Sequence, residues 1–136
     1  MNNAAFAPIR NTSLPHAFQC IRLERARDHD HPEGDSETAY VLIAPLDSEL
    51  RIDADLWREH RDACRIVRKR PNEEDSLGHL VHGPGGSWRF HYDVARSTSD
   101  ESGYHFGDQR FAPGEYLSIR EVDGVDLYRV VSVSPL

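Results

Sequence analysis

Cysteine is nearly missing from this sequence: Cys20 and Cys64 are the only two among 136 residues. A disulfide framework is therefore not the design, and with no C-x-x-C a zinc ribbon or thioredoxin-like site is not expected. The two thiols read as small hydrophobes of a reducing compartment. Long apolar runs are missing too, none approaching the roughly 18 residues of a membrane helix. Met1 to Arg10 holds neither the charged start nor the apolar core of a signal peptide. These absences lead to the expectation of a soluble, cytoplasmic protein with no membrane partner. Dinucleotide, Walker A, metalloprotease, nucleophile-elbow and EF-hand patterns are all missing, so no cofactor is expected. No repeat or heptad run appears.

What is present suits one small domain. Apolar residues make up 38% of the chain, enough for a modest core, and the length fits a single globular unit over 16–136 behind a loose arm at 1–15. The formal charge is −7 with histidine neutral, which disfavours a broad nucleic-acid surface. Eight histidines qualify that figure, because protonation below about pH 6.5 cancels much of it.

The clearest local signal closes the chain. Pro113-Gly114 marks a turn, Tyr116 to Val122 reads as a strand, Asp123-Gly124 as a tight turn, and Val125 to Val133 as a second strand. A loop at Asp123-Gly124 sets Ile119 opposite Tyr128 and Leu117 opposite Val130, with Leu117, Ile119, Tyr128 and Val130 on one apolar face. The same register sets Glu121 against Asp126, a like-charge pair that needs Arg120 or Arg129 to lean across. A second hairpin runs from Leu77 to Asp93 around Gly83-Pro84-Gly85-Gly86, pairing Val81 with Trp88 and His79 with Phe90. Trp88, Phe90 and Tyr92 then share the core face.

Elsewhere, Ala17 to Arg25 is a strand, and Thr38 to Pro45 is a β-branched run suited to burial on both faces. Asp53 to Cys64 is the one helix. Asp53 caps it, and Leu56, Trp57, His60, Ala63 and Cys64 form its apolar stripe. Ala95 to Gly107, rich in serine and glycine, reads as a long loop. The expected fold is mainly β, with a minor helical part. About six to eight antiparallel strands form a small barrel or strongly bent sheet with one helix near 53–64. Its core gathers Val41, Ile43, Trp57, Trp88, Phe90, Leu117, Ile119 and Val130.

Four groups of residues carry chemistry. In the polar loop Asp28 to Glu37, His29 and His31 have ligand types and spacing for Zn²⁺, Fe²⁺ or Mn²⁺, against the plainer reading of a solvated acidic loop. His60 and Cys64, at i and i+4, have the spacing of a nucleophile and its base, but no orienting carboxylate is identifiable, so a structural pair is the expectation. Arg65, Arg68, Lys69 and Arg70 form a cationic run for an anionic partner, or else an edge strand guarded by charge. On the polar face of the second hairpin, His82, Arg89 and His91, with Asp93 near, form a patch for a carboxylate or phosphate. The function that follows is a non-catalytic binding or protein-interaction module. A small anionic ligand is one partner; a protein or a second copy joined through an edge strand is another. The alternative is a small metal-dependent enzyme or metal sensor drawing on His29, His31, His79, His82 and His91. Nucleic acid is disfavoured by the net charge.

Overall fold

In the computed structural model, residues 15–27, 32–83, 87–93, 101–104, 106–122 and 124–136 are described. They form a closed antiparallel barrel in which each strand pairs with its neighbour in sequence and the last returns to the first. The strands are β1 (Phe18–Arg25), β2 (Asp35–Pro45), β3 (Arg65–Lys69), β4 (Ser76–His82), β5 (Trp88–Tyr92), β6 (Glu101–Tyr104), β7 (Tyr116–Glu121) and β8 (Gly124–Pro135). A helix, α1 (Ala54–Glu59), and a 3-10 turn (Arg61–Ala63) join β2 to β3. The expected small barrel with a single short helix is what the chain builds.

Period-two alternation sends one residue of each pair inward. Ile21 and Leu23 of β1, Leu42 of β2, Ile66 of β3, Leu80 of β4 and Phe90 of β5 meet Leu117 and Ile119 of β7 and Val130 of β8 in one core cluster. Trp88, Phe90 and Tyr92 turn inward together, at 2%, 0% and 8% exposure. Ile43, Trp57 and the remaining expected core residues belong to the same cluster, except Val41, which is buried outside it. Ala39, Val41 and Ile43 are buried as well as Tyr40, Leu42 and Ala44, so β2 is covered on both faces.

Five expectations change. In the closing hairpin Ile119 faces Asp126, Leu117 faces Tyr128 and Glu121 faces Gly124, so the turn begins one residue earlier than the Asp-Gly signal implies. The shift is by an even number, and the apolar face therefore survives. In the second hairpin Leu80 faces Phe90 and His82 faces Trp88. That is a slip of one, and it moves His82 to the inner face. The helix is shorter than its apolar stripe: Asp53 does cap it, accepting from the amides of Asp55 and Leu56, but α1 stops at His60, whose φ of −135° is not helical. The strand at Arg65–Lys69 is hydrogen-bonded to β2 on one side and β4 on the other, so it is not an edge.

The fifth is β6, which lies within the expected loop. Its Gly103 explains why a strand fits there: a Cβ at that position would stand 2.2 Å from Cγ of Phe106, so only glycine admits the ring. Residues 1–14 of the arm, 84–86 of the expected hairpin loop and 94–100 lie outside the described residues.

Candidate functional site

The barrel interior has two halves of different chemistry. At the end where β2 leads into α1, aromatic rings close the tube. Trp57 of α1 donates its indole N–H to the Leu80 carbonyl at 2.8 Å and stands edge-on to Trp88 at 5.4 Å. Phe106 packs between Phe90 and Phe111 at 5.9 and 5.2 Å.

At the opposite end the inward residues are ionic. The Tyr40 hydroxyl stands 2.5 Å from Glu121 Oε2 and 2.8 Å from Glu101 Oε1, with one proton to donate between them. Tyr92 donates to Glu101 at 2.5 Å and Tyr128 to Glu121 at 2.8 Å. Arg68 Nε reaches Glu101 at 3.3 Å, and Arg70 Nη2 reaches Glu121 at 2.5 Å. Arg25 bridges Glu121 at 3.7 Å and Asp126 at 3.3 Å. The register does not set Glu121 opposite Asp126 as expected, and Arg25 of β1 reaches both carboxylates. Three arginines face three carboxylates, a formally neutral set walled by phenols.

Burial, then the neighbouring carboxylates, push the hydroxyls of Tyr40, Tyr92 and Tyr128 far above the ordinary phenol range. Burial alone would raise the Glu121 carboxyl. Hydrogen bonds from Tyr40 and Tyr128 and the charge of Arg70 outweigh it and hold that carboxyl below its usual range. Arg70 is likewise held charged: burial opposes it, and Tyr40, Tyr128 and Glu121 prevail. This network is a packed plug, with every one of its carboxylates already engaged.

The cationic run is therefore split, and it is not one patch. Arg68 and Arg70 turn into the barrel, Lys69 pairs outside with Asp75 at 2.8 Å, and Arg65 lies beside His79 on the outer face. Glu101, Glu121, Arg25 and the three tyrosines are not legible as a unit in the sequence. Alternation from Ile66 through Arg68 to Arg70 was the available signal, since a buried Ile66 sends both arginines inward.

The expected hairpin patch is also divided. Arg89 and His91 lie on the outer face of β5, where His91 faces His79 across the ladder. Asp93 joins that side, 2.8 Å from His79 Nδ1. His82 sits on the inner face, stacked on Trp88 with centroids 4.1 Å apart. His82 and His79 meet again in a cleft of about 470 Å³ between β4 and the helical connection, lined also by Trp57, Arg58, Arg61 and Asp62. Arg61 lies over the Trp57 ring at 4.9 Å.

His60 and Cys64 do touch, but Sγ meets the His60 carbonyl oxygen at 3.4 Å, and the imidazole packs on Phe18. Burial pushes the Cys64 thiol up to about 12, which suits a core residue and not a nucleophile. His29 and His31 lie outside the described residues. Among the described residues no three histidine, cysteine, aspartate or glutamate side chains converge as a metal site, and no helix is long and apolar enough to cross a membrane.

Compared with known proteins, this chain matches no family model, no curated protein and no solved structure.

Proposed function

We propose that this barrel is a soluble, cytoplasmic binding module without catalytic activity of its own, and that its ligand is small and anionic. The observation that carries the reading is the cleft beside β4. Its volume of about 470 Å³ falls in the range of small-molecule sites, roughly 300–1,000 Å³. Its lining includes His79, which pairs with exposed His91 across the ladder and with Asp93 at 2.8 Å. Asp93 fixes the orientation of His79, as a recognition group requires. Both cysteines are unpaired, in keeping with a reducing compartment.

Eight-stranded barrels either fill their interior with side chains or keep room for one ligand. Here the inward side chains at both ends are engaged with one another, which favours recognition from outside the barrel wall. A protein partner would have to use that wall as well, because β3 offers no free edge.

The test is a thermal-shift screen of the whole protein against a panel of anionic, neutral and cationic metabolites. Stabilisation of several degrees confined to anions is the expected result, since a ligand that binds only the folded state raises the melting temperature. Stabilisation by neutral or cationic compounds alone, or by none, would count against the reading. So would turnover of any compound that binds.

A further inference from the structure

Resting on the binding-module reading, we propose that the cleft between β4 and the helical connection holds a phosphate or carboxylate group attached to a compact, flat or apolar body, and that Arg61 is its principal anchor.

Several cations near this cleft and in the neighbouring strand already have partners. Arg58 is paired with Asp55 at 3.1 Å, Lys69 with Asp75, and Arg68 and Arg70 are inside the barrel. Arg61 is different. Its guanidinium lies over the Trp57 ring, 4.9 Å from the centroid, and among the described residues no carboxylate is paired with it. A cation on an aromatic face is held in place, yet keeps its N–H edge for a partner in the plane of the guanidinium. That edge suits an oxyanion, which takes two parallel hydrogen bonds.

Two imidazoles complete the set. The His82 ring stands at 5.7 Å from Trp57, so Arg61 and His82 both lie against the same indole. His79 donates Nδ1–H to the Asp93 carboxylate, so its Nε2 offers a second N–H to an oxyanion in the imidazolium form. Asp62 also lines the cleft and opposes an anion, which places the bound group on the histidine side. The apolar part of the lining comes from Trp57, Leu80 and Val81. A bare ion would leave that surface uncovered; a flat or aliphatic body attached to the oxyanion would cover it.

The chain's only two tryptophans, Trp57 and Trp88, are both in contact with His82, so occupancy has a built-in optical report. The experiment titrates the full chain with phenyl phosphate, benzoate, inorganic phosphate and benzyl alcohol. It follows tryptophan emission and, independently, heat by calorimetry. The expected result is saturable binding of phenyl phosphate or benzoate, at least tenfold tighter than inorganic phosphate, with none for the alcohol. Whichever of the two aromatic probes binds more tightly identifies the oxyanion. Arg61→Gln should weaken that binding tenfold or more. The side chain is exposed, so the variant should keep the wild-type melting temperature. Arg58→Gln, at a neighbouring exposed position, should weaken binding less.

Equal affinity in Arg61→Gln and wild type overturns the proposal, as does absence of binding by both aromatic anions at millimolar concentration. Binding that is lost in Arg89→Gln and kept in Arg61→Gln also overturns it, while leaving the module reading intact on the outer face of β5. Failure of the module itself would appear separately, as a metabolite screen with no anion-specific stabilisation.

Discussion

At the α1 end, Trp57, Trp88, Phe106 and Phe111 fill the barrel with rings; at the other end the same kind of space holds Arg25, Arg68, Arg70, Glu101, Glu121 and three phenols. The two fillings differ in what each residue depends on. An aromatic side chain is stabilised by the area it removes from water and is indifferent to which apolar neighbour supplies the cover. A buried carboxylate is stable only while its particular partners remain, because a charge left unpaired in the interior costs more than the pair contributes. The apolar end should therefore fail gradually and the ionic end all at once.

The largest expected effect tests that contrast. Glu121→Ala removes the acceptor shared by Arg70, Tyr40 and Tyr128 and also the one bridged by Arg25. Stability should fall by about 3–5 kcal/mol in chemical denaturation. Replacing both members of the pair, as in Glu121→Leu with Arg70→Met, should recover most of that loss. A double variant as unstable as the single one would mean that the network, and not the stranded charge, is what matters.

Next comes pH, which acts on the carboxylates and phenols of the ionic end. Glu121 is held below its unfolded range, so its contribution is complete above that range and is lost as the pH falls through it, below about pH 4. The phenols run the other way. Tyr40, Tyr92 and Tyr128 stay protonated in the fold while an unfolded tyrosine ionises near pH 10, so stability declines as the pH rises past about 10. Phenolate absorbance should accordingly show three of the five tyrosines ionising only with loss of structure. A smooth titration of all five in the folded protein would remove the plug as described.

Smaller again is a substitution at the seam between the halves. Gly103→Ala places a methyl against the Phe106 ring, and overpacking of this kind costs about 1–3 kcal/mol. Phe106→Leu added to it should relieve part of the loss, since a smaller side chain leaves room for the methyl. Additive losses in the double variant would show that the contact at Gly103 is not the constraint.

How much of this could be read from the sequence divides along the same line. The apolar face of the closing hairpin and the inward trio Trp88, Phe90 and Tyr92 followed from alternation alone, because a strand's period fixes which residues share a face. The ionic end did not, and the reason is physical. Arg68, Arg70, Glu101 and Glu121 are individually ordinary surface residues, and each becomes a core residue only through a partner distant in sequence. Glu101 sits beside serine and glycine that read as loop, and Gly103 is a strand residue only because Phe106 occupies the space of its side chain. Of the candidate site, the patch at Arg89, His91 and Asp93 was legible as an outer face, whereas His82 was misplaced by a hairpin register one residue out. For the stacking of Arg61 on Trp57 the available signal was their i, i+4 spacing in the expected helix, which sets two side chains side by side.

The smallest effect probes how firmly the apolar end is held. Asp53 accepts from the amides of Asp55 and Leu56 at 3.0 and 3.1 Å, and α1 has only six residues over which to spread the loss of that cap. Asp53→Ala should cost about 1 kcal/mol, a drop of roughly 4 °C in melting temperature for a domain of this size. Trp57 is the one buried residue of α1 and it also carries Arg61, so the cap, the barrel closure and the cleft form one mechanical chain. The variant should therefore loosen the anion site along with the helix, seen as weaker binding of phenyl phosphate and a red shift of tryptophan emission. Binding that survives while the melting temperature falls would show that β4 alone holds the cleft. In that case the aromatic end is closed by the Leu80–Trp88 wall, with the helix resting on it as an ornament and not a stopper.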